Sequence, residues 1–231
     1  MKYSPVFVFA FCVFSLGQVM ASDLPDAAQM AVEISAAREA NREELLAYSW
    51  KTRTELVMGG ETKVVRIDLV RFDVDGNLQK TTISEEMGEQ RDRRGLLGMV
   101  QNRREKRQEK SQQEWFDALN DLLEQYSLPT TGKVLDFLDQ ASIEGGTDPG
   151  TARIRGTNVV QPGDELTLII DADSKQTQQT IIRARLDDDP VIVEIIHDRL
   201  ASGLDVQART SITVPATALR MTIENFDYLR Q

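Results

Sequence analysis

His197 is the only histidine in the chain, so a two-histidine metal centre and an HExxH motif are both out of reach. It lies between Ile196 and Asp198 in a strand-like run. There a lone imidazole reads as a hydrogen-bonded surface residue rather than as a general base. No Gly-x-Ser-x-Gly elbow is present for serine hydrolysis. Gly59-Gly60 falls between two strand-like segments, not at the strand-to-helix turn that cradles phosphate. Asp171, Asp173 and the Asp187–Asp189 run suggest calcium, but neither follows the EF-hand spacing with its central glycine and distal glutamate. Aspartate in such places bonds its own backbone, so these residues read as turn formers, as does Asp73-Val74-Asp75-Gly76. The sequence therefore calls for no catalytic residue, no metal and no cofactor. A hydrolase built on two converging carboxylates stays open, because convergence in space is not written in sequence.

The N-terminus carries a different kind of signal. Lys2 precedes an apolar run from Val6 to Leu16, and Val19-Met20-Ala21 places small residues at the positions read by a signal peptidase. Residues 1–21 are expected to be a cleaved signal peptide, with Ser22 starting the mature chain in the periplasm or otherwise secreted, soluble after cleavage. The apolar run is too short to span a bilayer, which takes about 20 residues. Cys12, the only cysteine, follows the bulky Phe11 and sits inside the apolar run, which argues against a lipoprotein site. Its removal leaves no thiol for a disulfide framework or a thiolate metal site.

The whole chain has 27 basic against 37 acidic residues, a net charge of −10, and loss of Lys2 makes it more negative still. That balance excludes nucleic acid as the expected partner. It also weakens attraction to anionic membranes. The exception is the stretch Arg91 to Lys110, rich in Arg and Lys, which reads as a solvated helix or as an exposed helix that meets a membrane surface or an acidic partner.

The elements that would position any site follow from periodicity. Pro25 opens a helical segment reaching about Ala47, with Met30, Ile34, Ala37 and Leu45 on one side. The period then changes to two, with Trp50, Thr52, Thr54, Leu56 and Met58 alternating with Lys51, Arg53 and Glu55. Gly59-Gly60 and Asp75-Gly76 are hairpin turns, giving a three-strand meander through Val64–Val70 and Leu78–Ile83. Helices are expected at about 95–126, with Trp115, Leu119, Leu122 and Tyr126 on one stripe, and at 131–142, capped by Thr130 or Thr131. Gly145–Gly150 is a loop. From Thr151 onward, strands recur at about ten-residue spacing to Tyr228, the pattern of a continuous antiparallel sheet. No linker divides residues 22–231, which read as one domain.

This order of elements, together with Trp50-Lys51-Thr52-Arg53-Thr54-Glu55, Leu69-Val70-Arg71-Phe72-Asp73, Gln161-Pro162-Gly163-Asp164-Glu165 and Thr222-Ile223-Glu224-Asn225-Phe226-Asp227-Tyr228, resembles the periplasmic outer-membrane lipoprotein carriers, the LolA/LolB-like half-barrels. The resemblance implies an α+β fold in which a curved antiparallel sheet of eight to ten strands carries helices on its concave side. It also implies an apolar cavity for acyl chains, although no family residue is carried over position by position. In such a fold the apolar residues alternating inward line the cavity, and Trp50, Leu56, Ile182, Val193 and Ile212 are the candidates, with Trp115 and Phe137 from the helices. A charge at Ile182 should abolish uptake of an acyl probe, and Lys175 is read as a surface control. The leading expectation is a non-enzymatic module that binds a lipid, an acyl chain or a lipoprotein. A protein-interaction or envelope-stress sensor module, with an envelope protein as partner, comes second, and the carboxylate hydrolase third. Oligomeric state is left open.

Overall fold

Turns built from residues that tolerate positive φ knit the strands together. Gly59 and Gly60 both lie at positive φ (58° and 81°), as a two-residue hairpin requires, and Asp187 and Asp188 do the same at 49° and 68°. The Asp73 carboxylate caps its own turn, accepting the backbone N–H groups of Asp75 and Asn77, each at 2.9 Å. Asp171 accepts the N–H of Ser174 at 2.7 Å in the same way. These aspartates are turn formers, as their sequence setting suggests.

The structure is a computed structural model that describes residues 27–88, 114–128 and 130–231. The signal segment 1–21, Cys12 and the basic stretch 91–110 lie outside the described residues. Helix α1 spans Ala27–Leu45 and leads into strands β1 (Tyr48–Met58), β2 (Glu61–Phe72) and β3 (Leu78–Met87). Helix α2 covers residues 114–125 and α3 covers Thr131–Leu138. Seven strands follow: β4 (Ser142–Gly145), β5 (Thr151–Thr157), β6 (Glu165–Asp171), β7 (Thr177–Leu186), β8 (Asp189–Arg199), β9 (Asp205–Val214) and β10 (Leu219–Arg230). Thr130 caps α3, its hydroxyl accepting the Lys133 N–H at 3.3 Å. The helix ends at Leu138 rather than 142, because Ser142–Gly145 leaves it to pair with β5.

All ten strands form one antiparallel sheet in the order β3-β2-β1-β10-β9-β8-β7-β6-β5-β4. The sheet stays open, with β3 and β4 as its edges. Five of the nine strand pairings contain a register shift, at Ser49/Lys51, Leu56/Val57, Ile67/Asp68, Ile169/Ile170 and Ile196/His197. Such bulges raise the local twist and bend a sheet, and this one curves around its helices. One core packs the helices against the concave face. Met30 and Ile34 of α1, Leu119 of α2 and Val134 of α3 are buried with Ile154, Leu166, Val191, Val193 and Val214 of the strands. Each such side chain contributes about 1.5–3 kcal/mol on burial.

A polar clasp closes one end of this core. Asp164, 2% exposed, accepts four hydrogen bonds: from the Tyr126 hydroxyl at 2.6 Å and from the backbone N–H groups of Val159, Val160 and Gln161 at 2.6–2.8 Å. It ties the end of α2 to the loop between β5 and β6. Next to it, Gly156 leaves room for an aromatic ring. A Cβ there would lie 2.6 Å from Phe137 Cε2 and 3.3 Å from Val159 Cγ2. Gly156→Ala should therefore displace the Phe137 ring and destabilise the fold by about 1–3 kcal/mol in chemical denaturation. An unchanged midpoint would show that the ring moves away freely.

Candidate ligand cavity

Paired strands place directly opposed residues on the same face, so the cavity floor can be read row by row from the register. One row crosses the concave face as Leu166, Ile182, Val193, Ile212 and Met221. The next holds Leu168, Thr180, Ile195, Thr210 and Ile223. Beyond the β8 bulge the facing pair is His197 with Gln207, and then Arg199 with Asp205. The floor thus changes from aliphatic to polar along the strand direction. Four residues separate Val193 from His197, roughly 13 Å of extended strand.

Between this floor and the helices lies an open cavity of about 550 Å³. Its volume falls within the range of about 300–1,000 Å³ usual for small-molecule sites. Ile182, Val193 and Ile212 line it, together with Leu168, Ile195, Met221 and Ile223 of the sheet and Leu123 and Tyr126 from the C-terminal side of α2. The other wall is α1, which contributes Ala37, Arg38, Asn41, Arg42 and Leu45. Lys175, Gln176, Gln207 and Asp205 complete the polar end.

Three of the seven positions chosen from sequence are thus on the cavity wall. Leu56 is on the same face, paired with Met221 and packed against the core, and so flanks the cavity. Trp50 is in phase with Leu56 but sits farther along β1, where its ring stacks on Tyr228 at 5.6 Å and tilts against Phe72 at 5.8 Å. The inward face of β1 to β3 between them is polar. Thr52 donates to Asn225 at 2.7 Å, and the buried Asp68 accepts from Arg66 at 2.9 Å and Thr82 at 2.8 Å. Trp115 packs at the rim of the core, edge-on to Phe116 at 5.2 Å. Phe137 lines a separate, smaller cleft of about 400 Å³ with Gly156 and Val159.

The polar end was not foreseen. Lys175, read from sequence as a surface control, lines the cavity and donates through Nζ to the Ala172 carbonyl. His197 is half-buried and lines the cavity wall as well as a shallower cleft with Ile196 and Asp198. Desolvation, reinforced by the Arg38 charge and partly offset by Asp205, holds its pKa below the ordinary imidazole value, so it is neutral at pH 7. Burial also lowers the pKa of Arg38, but a guanidinium remains charged at neutral pH. Its side chain donates to the Ser127 carbonyl at a long 3.5 Å. Asn41 pins α1 to the start of β9 with two bonds to the Asp205 backbone, at 2.7 and 2.8 Å. The Asp205 carboxylate turns to Arg199 at 2.9 Å, and its other oxygen is enclosed without a donor, as is Gln176 Oε1. The sequence held one clue: the stripe Met30–Ile34–Ala37–Leu45 that marks the buried face of α1 skips a turn at Asn41, with Arg38 beside it.

The chain is thus an α+β fold with a curved, open antiparallel sheet, the half-barrel that its resemblance to the lipoprotein carriers implied. Among solved structures it is similar to a DUF1329 family protein from Desulfovibrio piger, at 8% identity over 89% of this chain and 92% of that one, with a TM-score of 0.38. It is also similar to a domain from Vibrio parahaemolyticus described as an outer membrane lipoprotein-sorting protein, at 10% identity over 88% and 93% of the two chains, TM-score 0.39. A LolA superfamily protein from Nitrosomonas europaea matches at 7% identity over 87% and 93%, TM-score 0.36. No family model and no curated protein matches the sequence.

Proposed function

We propose that this protein is a non-enzymatic binding module that holds an apolar ligand, a lipid or an acyl chain free or on a lipoprotein, in the half-barrel cavity. In this reading residues 1–21 direct export, and residues 22–231 act as one domain in the periplasm or otherwise outside the cell. Among the described residues, no helix is long and apolar enough to cross a membrane. The observation that carries the reading is an open space bordered by the aliphatic row of Ile182, Val193 and Ile212, which also belong to the core, and by the half-buried Met221. Each CH₂ buried there contributes about 0.8 kcal/mol, so a chain of modest length binds usefully. Asp205 is the one carboxylate lining the cavity among the described residues, and its pairing with Arg199 supports a binding role over paired-carboxylate catalysis.

A second reading, a protein-docking module on the same fold, is favoured by β3. Every residue of this ten-residue edge strand is exposed, including Ile83 and Met87. An open edge of that length can accept a partner strand. Native mass spectrometry of the purified protein separates the two. A lipid adduct that survives desalting is the expected result. A bare protein that also fails to bind a fluorescent fatty acid saturably would overturn the carrier reading in favour of docking.

A further inference from the structure

The cavity has two chemically different ends, and the polar one is cationic in a chain whose net charge is −10. Arg38, Arg42 and Lys175 are basic residues on its lining, and His197 adds an imidazole beside them. Their weights differ. Arg42 leans outward, 3.8 Å from Glu39, with both side chains well exposed, so it contributes least. Arg38 and Lys175 contact backbone carbonyls, of Ser127 and Ala172, rather than a carboxylate. Asp205 is the countercharge on the same lining, with one oxygen engaged by Arg199 and the other enclosed. These groups come from three elements, the C-terminal half of α1, the β6–β7 turn and the bulged end of β8, and they meet about two floor rows beyond the aliphatic patch.

We propose that the cavity selects an amphiphile with a single alkyl chain and an anionic head, the chain lying over Ile182, Val193 and Ile212 and the carboxylate or phosphate set between Arg38 and Lys175. The inference rests on the cavity reading and adds the head-group chemistry to it. An alkyl chain satisfies the aliphatic rows but leaves Arg38 and Lys175 with neutral carbonyl partners only. An anionic head supplies charge-assisted hydrogen bonds to Arg38 and Lys175, with the His197 N–H as a further donor. A cationic head would meet the same charges as repulsion.

The test is displacement of a neutral, environment-sensitive naphthylamine probe at pH 7.5 by four twelve-carbon amphiphiles below their micelle concentrations. These are dodecanoate, dodecyl phosphate, dodecanol and dodecyltrimethylammonium. The anions should displace the probe at concentrations about tenfold or more below dodecanol, and the ammonium compound should be weakest. The ratio between dodecanoate and dodecyl phosphate tells which head the site fits. Arg38→Gln and, separately, Lys175→Gln should each remove most of the anion preference, weakening dodecanoate far more than dodecanol. Arg209→Gln, a cation loss on the opposite face of the sheet, should keep the preference. Dodecanol matching dodecanoate in the wild type would overturn the head-group inference and leave the cavity reading standing. Equal loss of preference in Arg209→Gln would also overturn it, by showing a diffuse charge effect. Failure of the neutral probe and dodecanol to bind at all would overturn both.

Discussion

Ile182→Glu is expected to abolish saturable binding of a fluorescent fatty acid. Ile182 is 4% exposed, sits in the middle of the aliphatic row, and belongs at once to the cavity wall and to the core. An ionised carboxylate there loses its hydration without gaining a partner, and such a site forces either neutralisation or local opening. Destabilisation of about 3 kcal/mol or more is therefore expected alongside the binding loss. Met221→Glu separates the two effects. Met221 lines the same row but is only half-buried, so the fold should survive, as judged by circular dichroism, while binding falls at least about tenfold. The control belongs on the outer face: Ile192, 38% exposed, should tolerate Glu without loss of binding. Retained probe binding by a folded Met221→Glu protein would move the ligand elsewhere.

The largest effect on stability should come from Asp164. Burial by itself raises the pKa of this carboxyl, but the Tyr126 hydroxyl and the three backbone donors outweigh burial and hold it below its ordinary value of 3.8. Asp164→Ala strands those four donors inside the fold and should reduce stability by about 3 kcal/mol or more. The pH dependence follows from the sign of the shift. A depressed carboxyl pKa means that the unfolded chain takes up the proton first. The stabilisation is thus complete above about pH 4, where the unfolded carboxyl is ionised, and is lost as pH falls through the lower folded pKa. Asp164→Asn should flatten this acid limb in urea melts between pH 7 and 3, so that its deficit against the wild type narrows toward pH 3. A constant deficit across that range would mean that the charge contributes nothing beyond shape.

The strands and their turns were legible because both signals are local. Alternation from Trp50 to Met58 and the pairs Gly59-Gly60 and Asp75-Gly76 report period and φ directly, and the Thr130 cap follows from one residue type at one place. Strand β4 was not legible, since Ser142–Gly145 holds a single apolar residue, Ile143, and runs into a glycine loop. The cavity was legible by face but not by depth. Period two put Trp50 and Leu56 on the inward side correctly, yet position along the strand decides what lies above each residue. Trp50 therefore meets Phe72 and Tyr228 rather than the cavity. The polar end was least visible, because Arg38, Lys175 and His197 come together only through packing of elements far apart in sequence.

The place of β10 in the sheet also governs how the molecule can assemble. Among the described residues it is the only strand that joins the β1–β3 meander to the rest, pairing with β1 on one side and β9 on the other. Strands β4 to β9 grow by hairpins between sequence neighbours, contacts whose closure entropy is small. The β1–β10 seam instead joins residues as distant as Tyr48 and Arg230, the high contact-order step that slows folding. The meander can form early but has nowhere to dock until β10 is in place, so the seam is expected to close last. Loss of β10 would leave a three-strand and a six-strand sheet, each with a raw edge exposed to aggregation.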